Sequence, residues 1–332
     1  MPDPEPKKKK RPFHRVRKRG TRSTADGEHR PVLLAEVLRV LDPKPGQVLV
    51  DGTLGFAGHS FELLKLLGPD GKLIATDLDL ANLPPADEKL REVGFPFALH
   101  HGNFAGLPAV LAENGHAGID GFLADLGMSS MQVDDRSRGF SFMRDGPLDM
   151  RMDRSRGKTA ADLLNGMSEA ELAAAFRDLG DEPMADSIAA AIVKARPLTM
   201  TLQLRNLIEA AAPVQVLRGP GRPPARKQRL LPATRVFQSL RILVNRELAN
   251  LTHLLRMLPD LLHPGSTAAI ICFHSGEDRI VKAAFREGVR TGVYTAASDD
   301  PTRPSEQEKL DNPRCRSAKL RWARKAVTGI ES

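Results

Sequence analysis

Short apolar runs that alternate with helical patterns occupy the first 125 residues of the chain. Four of these runs have the length and the flanking turns of buried strands, at residues 48–50, 72–76, 97–101 and 118–124. Three of them are followed directly by an aspartate: Asp51, Asp77 and Asp125. The pattern predicts a doubly wound α/β sheet, and such sheets bind ligands at the carboxyl ends of their strands.

Helical periodicity replaces this pattern in the middle of the chain. Short helices are expected at residues 160–164, 168–179, 184–195 and 202–212, and Ser168 with Glu171 has the spacing of a capping box. From Thr234, apolar side chains step by three or four positions as far as Leu258, which predicts one continuous amphipathic helix. A strand follows at residues 268–273.

The distance between the fourth strand and this next one indicates an insertion. Roughly 140 residues separate them, far more than an ordinary connection needs. We therefore expect four parts, which are a disordered basic tail, a sheet domain in two pieces and an inserted helical domain. Their predicted bounds are 1–28 for the tail, 29–133 and 233–332 for the sheet domain, and 134–232 for the insert.

The net charge of +8 is concentrated at the amino terminus. Residues 1–30 hold eleven Lys or Arg against four Asp or Glu, so the rest of the chain is nearly neutral. Such a tail either acts as a solvated extension or grips a polyanion through counterion release. Residues 218–229 add five basic side chains and no acid, which suits either phosphate contacts or an ordinary linker.

Other sequence features exclude some classes of protein. No apolar run approaches the roughly 20 residues that cross a bilayer, and the basic terminus lacks the apolar core of a signal peptide. Cys272 and Cys315 lie far apart and match no zinc spacing. We therefore expect a cytoplasmic protein with no membrane segment and no structural metal.

A glycine-rich turn joins the first strand to a helix. Gly52, Gly55 and Gly58 are spaced three apart, so the dinucleotide fingerprint GxGxxG is absent, and either a ligand or tight packing explains the turn. Asp77, at the end of the second strand, has the position of an acid that binds ribose hydroxyls. Phe104 could stack on an adenine or simply close the edge of the sheet.

Residues 125–153 read DLGMSSMQVDDRSRGFSFMRDGPLDMRMD and have neither helical nor strand period. They form either a site loop or a loop with its own apolar cluster. This stretch resembles the signature of the bacterial ribosomal RNA small subunit methyltransferase H (MraW) family. The core ATRxFQxxRIxVNxEL at residues 233–248 and the segment 312–321 resemble further family motifs, and the resemblance covers about residues 29–325.

The resemblance implies a class I S-adenosylmethionine-dependent methyltransferase fold, Rossmann-like, with an inserted helical substrate-recognition domain. Members transfer a methyl group from S-adenosylmethionine to the exocyclic N4 of one cytidine in small-subunit (16S) ribosomal RNA. Carried over by position, the cofactor contacts are Ala57, Gly58, His59, Asp77, Phe104, Asp125 and Gln132. Relatives carry glycine at position 57 and leucine at 276. The extra methyl group of Ala57 is therefore expected to hinder the approach of the cofactor.

Methylation of a cytosine amine needs a group that accepts a hydrogen bond from the amine N–H while positive charge develops on the nitrogen. Asp125 is the first candidate for this catalytic role and Asp149 the second. The target base must be single-stranded or flipped out, and stacking on Phe140 or Phe142 would suit it. The predicted RNA contacts are completed by three arginines: Arg151, Arg235 and Arg241.

Three alternatives remain beside an active RNA methyltransferase. The same scaffold could serve as an RNA-binding ribosome-assembly factor with weak catalysis, an interpretation that the changes at Ala57 and Gly276 favour slightly. A small-molecule methyltransferase is disfavoured by the basic segments, and a dehydrogenase by the missing fingerprint. The expected partner is small-subunit ribosomal RNA within an assembled or nearly assembled subunit, while a homodimer is left open.

Overall fold

The structure is a computed structural model that describes residues 30–213 and 231–327. The predicted basic tail (1–28) and the basic loop (218–229) lie outside the described residues. Among the helices within the two described ranges, none is long and apolar enough to cross a membrane.

Seven strands of the described ranges form a single sheet. They are β1 (Val48–Asp51), β2 (Lys72–Asp77), β3 (Phe97–His101), β4 (Ile119–Asp125), β5 (Leu262–Cys272), β6 (Tyr294–Ala297) and β7 (Lys319–Lys325). Their order is β3-β2-β1-β4-β5-β7-β6; the first five are parallel, and β7 is antiparallel to both β5 and β6. The predicted doubly wound fold is confirmed, and the order reverses between β1 and β4, where such sheets bind ligands.

Helices cover the sheet and form the insertion between β4 and β5. In the described ranges they are α1 (Leu34–Leu41), α2 (Gly58–Leu67), α3 (Leu83–Arg91), α4 (Leu107–Glu113), α5 (Ser130–Asp134), α6 (Ala160–Gly166), α7 (Glu169–Gly180), α8 (Ala185–Ala195), α9 (Thr201–Ala211), α10 (Pro232–Asn245), α11 (Glu247–Leu261), α12 (Ser275–Arg290) and α13 (Glu306–Asp311). The predicted capping box is confirmed: Ser168 N–H donates to the Glu171 carboxylate at 2.7 Å, and Glu171 N–H donates to the Ser168 hydroxyl.

Neighbouring side chains of the central strands enter opposite apolar layers, because successive residues of a strand point to opposite faces. Leu49 and Leu123 pack with α1, α2 and α3, whereas Val50 and Phe122 pack with α4, α11 and α12. Both faces of the sheet are thus buried, as a largely parallel sheet requires. Burial on both sides fixes the strand ends that carry Asp51, Asp77 and Asp125.

A third apolar cluster holds the inserted helices together. It contains buried side chains from α6, α7, α8, α9 and α10, among them Leu164, Phe176, Ile188, Leu204 and Leu240. Because α10 packs on α7 and α9 rather than on the sheet, the helical region extends to about Asn245. The predicted domain boundary at residue 232 falls at the start of α10, and the division of the chain into domains stays a prediction.

The predicted continuous helix from Thr234 to Leu258 is also wrong, because it is two helices. Arg246 adopts a left-handed conformation, φ 51° and ψ 37°, between α10 and α11. The apolar steps continue through the break, but they bury different partners: Leu240 lies in the cluster of inserted helices and Leu251 in a layer on the sheet.

Candidate active site

A cavity of about 260 Å³ lies at the carboxyl ends of β1, β2 and β4, and extends toward the end of β5 and the start of α11. We refer to it as the active-site cavity. Six of the seven residues expected to contact the cofactor line it: Gly58, His59, Asp77, Phe104, Asp125 and Gln132. The topology of the sheet thus brings together residues that are up to 74 positions apart, because parallel strands end at one edge.

Ala57 is the exception, because its side chain lies in the apolar layer with α1 and α2 and has no exposed surface. It adopts a left-handed conformation, φ 55° and ψ 29°, at the amino end of α2. The expectation that its methyl group would hinder the cofactor is therefore wrong. What the substitution changes instead is backbone strain, because an L-residue is disfavoured in this conformation.

The turn before α2 is held by the carboxylate that ends β1. Asp51 accepts hydrogen bonds from the Thr53 N–H at 3.0 Å and from the Ser60 hydroxyl at 2.6 Å. The Thr53 hydroxyl in turn accepts the backbone N–H of Asp125 at 2.6 Å. Asp51 is therefore a structural acid that ties the turn to α2, and Thr53 ties it to β4.

Asp77 is held by two backbone N–H groups. Gly55 N–H donates to one carboxylate oxygen at 2.7 Å, and Asp79 N–H donates to the other at 2.7 Å. Burial raises the pKa of Asp77 to about 6, although these hydrogen bonds act in the opposite direction. The carboxylate lines the cavity at the end of β2, which is the location that the ribose prediction requires.

Gln132 lines the cavity while its side-chain amide is engaged by the protein. Its oxygen accepts the Ser129 N–H at 3.0 Å, and its nitrogen donates to Asp79 at 2.9 Å. Arg138 also contacts Asp79, through a buried ion pair of 2.7 Å. Gln132 and Arg138 together join the loop after β4 to the end of β2, and so they shape this wall of the cavity.

Asp125 ends β4 in an unusual environment. Its Oδ1 atom is buried and has no hydrogen-bond partner among the described residues, and about 25% of the side chain is exposed to the cavity. Burial is the main cause that raises its pKa to about 8, with smaller contributions from Asp51 and Glu277. Without a ligand, Asp125 is therefore largely protonated at neutral pH.

His59 lies between Asp125 and the segment before α1. Its Nε2 atom is 2.9 Å from the Val32 carbonyl oxygen, and its Nδ1 atom is 3.8 Å from Asp125 Oδ2. Burial lowers the pKa of His59, while the Asp51 charge and the hydrogen bond to Val32 oppose this shift. Because a carbonyl only accepts, Nε2 carries the hydrogen and Nδ1 of the neutral ring keeps its lone pair.

Several cavity residues did not emerge from the sequence patterns: Asn82, Asn245, Glu247, Asn250 and Glu277. Glu277 accepts the Phe273 N–H at 2.8 Å, so it caps the start of α12. The signal for it was its position three residues after His274, which is capping-box spacing. The other four lie in or beside helices whose apolar pattern gives no sign of a site.

The part of the cavity near the end of β5 and the start of α11 contains two glutamates, Glu247 and Glu277. Glu247 pairs with Arg241 through two hydrogen bonds of 2.9 and 2.8 Å, and burial raises the pKa of Glu247 despite this partner. Ligand atoms of Glu247, His274 and Glu277 lie within 4.8 Å of one another, as in a metal site. Arg241 occupies both oxygens of Glu247, however, so these side chains are arranged as an ion-pair network.

Asp149, the second catalytic candidate, does not line the cavity. It is 7% exposed and forms an ion pair with Arg151, whose Nε lies 2.7 Å from Asp149 Oδ1. Arg154 Nε lies 3.7 Å from the other carboxylate oxygen, Oδ2. Burial alone would raise the pKa of Asp149, but the hydrogen bonds and charge of Arg151 lower it overall. Asp149 and Arg151 therefore bind each other, and neither side chain lines the active-site cavity.

The two phenylalanines expected to stack on a base are packed inside the protein. Phe140 is 7% exposed, lies in the cluster of inserted helices and has the Arg138 guanidinium over its ring. Phe142 is half-buried and packs edge-to-face on Phe237, with ring centroids 5.1 Å apart. Neither ring is available for stacking on a base in this packing. The stretch of residues 125–153 combines both interpretations, because Phe140 belongs to the apolar cluster while Gln132 and Met152 line the cavity.

Two arginines predicted to contact RNA are engaged in internal ion pairs. Arg241 is 8% exposed and is held by Glu247. Arg235 pairs at 3.2 Å with Glu182, whose side chain is fully buried. A direct contact of Arg241 with RNA is contradicted by its burial, and Arg235 is committed to the packing of α10 on the helical region.

The strand order, the glycine turn and the acidic strand ends define a class I S-adenosylmethionine-dependent methyltransferase with a helical insertion. Residues 26–326 match the model of the MraW methylase family. The chain belongs to this family.

Curated relatives agree with the family model. The chain is 46% identical over 318 residues to the ribosomal RNA small subunit methyltransferase H of Geobacter sulfurreducens, covering 90% of this chain and 98% of the relative. It is 44% identical over 303 residues to the protein of the same name from Acidobacterium capsulatum, with the same coverage. Among solved structures, an rRNA methylase from Streptococcus thermophilus aligns with a TM-score of 0.38 and 11% identity, over 88% of this chain and 93% of that one. A likeness of that size adds nothing to the assignment.

Proposed function

We propose that this chain transfers a methyl group from S-adenosylmethionine to the exocyclic N4 of a cytidine in small-subunit ribosomal RNA. Support comes from membership of the MraW methylase family and from relatives that are named ribosomal RNA small subunit methyltransferase H and are covered almost completely. The observation that carries the proposal is Asp125, an acid with an unpartnered oxygen at the edge of the sheet where this class binds its cofactor.

The cavity suits a ligand with hydrogen-bond donors and positive charge. Asp125 Oδ1 and Asn82 Oδ1 are buried acceptors without a partner among the described residues. Buried polar atoms are normally satisfied, so a bound ligand is expected to supply the donors. Asp77, Glu247 and Glu277 add carboxylates to the wall, which favours a sulfonium and an ammonium group over an anion.

We assign cofactor roles within the cavity by position. Asp77 would accept hydrogen bonds from the ribose hydroxyls, and Phe104 would contact the adenine. The glycine turn and His59 would enclose the rest of the cofactor. When bound, S-adenosylmethionine supplies an electrophilic methyl group, and the electrons of its carbon–sulfur bond remain on sulfur. Gln132 acts by holding Asp79 and the loop in place rather than through a free amide.

The target amine is assigned to the part of the cavity next to Asp125. A cytosine amine is a weak nucleophile because its lone pair is delocalised into the ring. The Asp125 carboxylate can accept one of its N–H groups and so stabilise the positive charge that develops on nitrogen. The acidic side chains Glu247 and Glu277 act in the same direction through space.

The inserted helical domain of residues 134–232 is proposed to recognise the RNA, since it borders one side of the cavity through Met152. The natural substrate is proposed to be the RNA within an assembled or nearly assembled small subunit in the cytoplasm. The basic tail 1–28 is proposed to grip RNA, so its deletion should flatten the salt dependence of binding.

The decisive experiment measures transfer of a labelled methyl group to small-subunit ribosomal RNA, free and within small subunits. The expected result is labelled N4-methylcytidine after digestion of the RNA to nucleosides, with a rate of labelling about 10²-fold lower when Asp125→Asn replaces the wild type. Label in another nucleoside or in a small molecule would overturn the proposal. Binding of subunits without any transfer would favour the assembly-factor alternative.

A further inference from the structure

Two arginines line the active-site cavity beside its acidic side chains. Among the described residues of the lining, Arg30 and Arg314 are the only lysine or arginine side chains, whereas four of the lining residues are aspartate or glutamate. S-adenosylmethionine carries a sulfonium and an ammonium group, which suit the acids, but it also carries one carboxylate. Like charges disfavour each other at close range, so this carboxylate needs a position away from the acids. The two arginines mark such a position by their charge.

Arg314 lies on the side of the cavity that is opposite Phe104. Cys315, which follows Arg314 in the chain, belongs to the apolar layer with α1 and α2, whereas Phe104 belongs to the layer on the other face of the sheet. A cofactor with its adenine at Phe104 and its ribose at Asp77 therefore has its methionine end free to extend toward the start of α2 and Arg314.

The start of α2 is a second feature of this side that suits an anion. Gly58 and His59 begin this helix of ten residues, and both line the cavity. The N–H groups of a first helical turn have no partner within the helix, and the helix dipole favours negative charge beside them. The segment that carries Arg30 lies against this turn, since a Cβ atom added at Gly58 would lie 2.7 Å from the Cγ atom of Pro31.

Arg314 is held in place and keeps hydrogen-bond donors to spare. Its backbone N–H donates to Asn312 Oδ1 at 3.3 Å, and Asn312 Nδ2 donates to the Arg30 carbonyl at 3.3 Å, which joins the two arginine segments. The guanidinium donates one hydrogen bond of 2.9 Å to Asp134, whose side chain is 57% exposed, so solvent screens this ion pair. Because a guanidinium has five N–H donors, the side chain of Arg314 remains able to bind a carboxylate through two parallel hydrogen bonds.

We propose that Arg314 binds the α-carboxylate of S-adenosylmethionine, with Arg30 adding positive charge and the first turn of α2 supplying backbone N–H donors. This inference rests on the proposed orientation of the cofactor. It assigns the short 3₁₀ segment Pro313–Ser317, which belongs to neither the glycine turn nor the strand ends, to cofactor binding. The site then selects a cofactor whose amino-acid end is intact.

The test compares two ligands that differ only in this carboxylate. S-adenosylmethionine and its decarboxylated form share the adenosine, the sulfonium and the amine, and calorimetric titration of the full chain measures both without RNA. Arg314→Gln should weaken S-adenosylmethionine binding about 10- to 100-fold, as for loss of charge-assisted hydrogen bonds. The affinity for the decarboxylated ligand should change less than about twofold. Arg314→Lys keeps the charge but loses the planar fork, so it should recover part of the loss.

Two further variants separate ligand binding from a structural role of Arg314. Arg316→Gln is the matched control, because Arg316 is exposed in the same 3₁₀ segment and does not line the cavity. Both ligands should bind this variant as they bind the wild type. Asp134→Asn removes the ion pair and leaves the guanidinium free, so it should keep or raise the affinity for S-adenosylmethionine. Melting temperatures close to that of the wild type show that each variant is folded.

The possible outcomes distinguish this proposal from the proposed function. An equal loss for both ligands in Arg314→Gln, or the same loss in Asp134→Asn, would overturn the proposal, because either result shows a structural role. Unchanged cofactor affinity in Arg314→Gln with weaker RNA binding would also overturn it and would assign Arg314 to an RNA phosphate. Selective loss of S-adenosylmethionine binding in a protein whose wild type methylates no RNA would overturn the proposed function and leave the role of Arg314 standing.

Discussion

The Gly55 N–H donates a 2.7 Å hydrogen bond to Asp77, so the carboxylate at the end of β2 holds the glycine turn that follows β1. A second backbone donor, Asp79 N–H, fixes the other oxygen at 2.7 Å. Each carboxylate oxygen has further acceptor capacity, and the side chain borders the cavity. One residue thus shapes the turn and remains able to bind a ligand.

Replacement of Asp77 by alanine should weaken S-adenosylmethionine binding by about 1.5–3 kcal/mol, the range for hydrogen bonds to a charged group. Calorimetric titration of the folded variant measures this loss. Asp70→Ala is the control, because Asp70 is an exposed aspartate in the turn before β2. Unchanged affinity in Asp77→Ala would remove Asp77 from the ribose role.

The stability of the cofactor-free protein should depend on pH through Asp125. Its pKa is about 8 in the folded protein and about 4 in an unfolded chain, so the folded state binds more protons between these values. The free energy of unfolding should therefore fall as the pH rises from about 4 to about 8, and level off above that. Because one pKa unit corresponds to about 1.4 kcal/mol, the contribution is on the order of a few kcal/mol.

Denaturant titrations at several pH values provide the measurement. Asp125→Asn should flatten the decline, leaving the part that comes from the raised pKa values of Asp77 and Glu247. A variant whose curve parallels that of the wild type would show that Asp125 does not titrate in this range. Saturating cofactor should also reduce the decline, since a cationic ligand favours the ionised carboxylate.

The strands and their terminal aspartates could be predicted from sequence because both signals are local. An apolar run of four to seven residues that ends in Asp51, Asp77 or Asp125 defines a buried strand and its polar end together. Parallel topology then places the ends at one edge, so the cofactor side of the cavity follows. The same argument gives no information about Glu247 or Glu277, which reach the cavity from elements far along the chain.

The break at Arg246 and the burial of Phe140 depend on tertiary packing. The apolar steps of α10 and α11 satisfy one helical period, although the two halves bury into different clusters. Phe140 sits in a loop without periodicity, and only the packed inserted helices decide whether its ring is exposed. Arg241 is similar, because its burial is possible only beside Glu247.

Ala57→Gly tests whether the residue at this position matters for strain or for the cofactor. Glycine removes the cost of about 1–2 kcal/mol for an L-residue in the left-handed region, but also loses a buried methyl group worth about 0.8 kcal/mol. We therefore expect a free energy of unfolding equal to the wild type or up to about 1 kcal/mol higher. Cofactor affinity should stay within about twofold, because the methyl group faces the apolar layer.

The control for this substitution is Ala189→Gly, at an equally buried alanine within α8. There glycine relieves no strain and costs about 1 kcal/mol of helix propensity in addition to the lost methyl group. Chemical denaturation should place Ala57→Gly at least about 1 kcal/mol above Ala189→Gly. Equal losses in both variants would mean that position 57 carries no strain.

Arg241→Ala should destabilise the protein rather than weaken RNA binding alone. It leaves the Glu247 carboxylate buried without its partner, which typically costs about 3–5 kcal/mol. Pairing it with Glu247→Gln should recover part of the loss, since the uncompensated charge is removed. Arg256→Ala, an exposed arginine of α11, serves as the control. A fully stable Arg241→Ala protein with reduced RNA affinity would restore the original interpretation of Arg241 as an RNA contact.

The choice between Asp125 and Asp149 as the catalytic acid is decided by comparing their asparagine variants. Asp125→Asn keeps the size of the side chain, but its amide can present N–H groups to an amine that itself donates. The single-turnover rate at saturating cofactor and RNA should fall by about 10²-fold or more, as for removal of one preorganised electrostatic contact. Asp149→Asn should instead lower the free energy of unfolding, because it breaks the ion pair with Arg151, and leave the rate per folded molecule near that of the wild type. The reverse pattern, with chemistry lost in Asp149→Asn and retained in Asp125→Asn, would require the loop carrying Asp149 to move into the cavity when RNA binds.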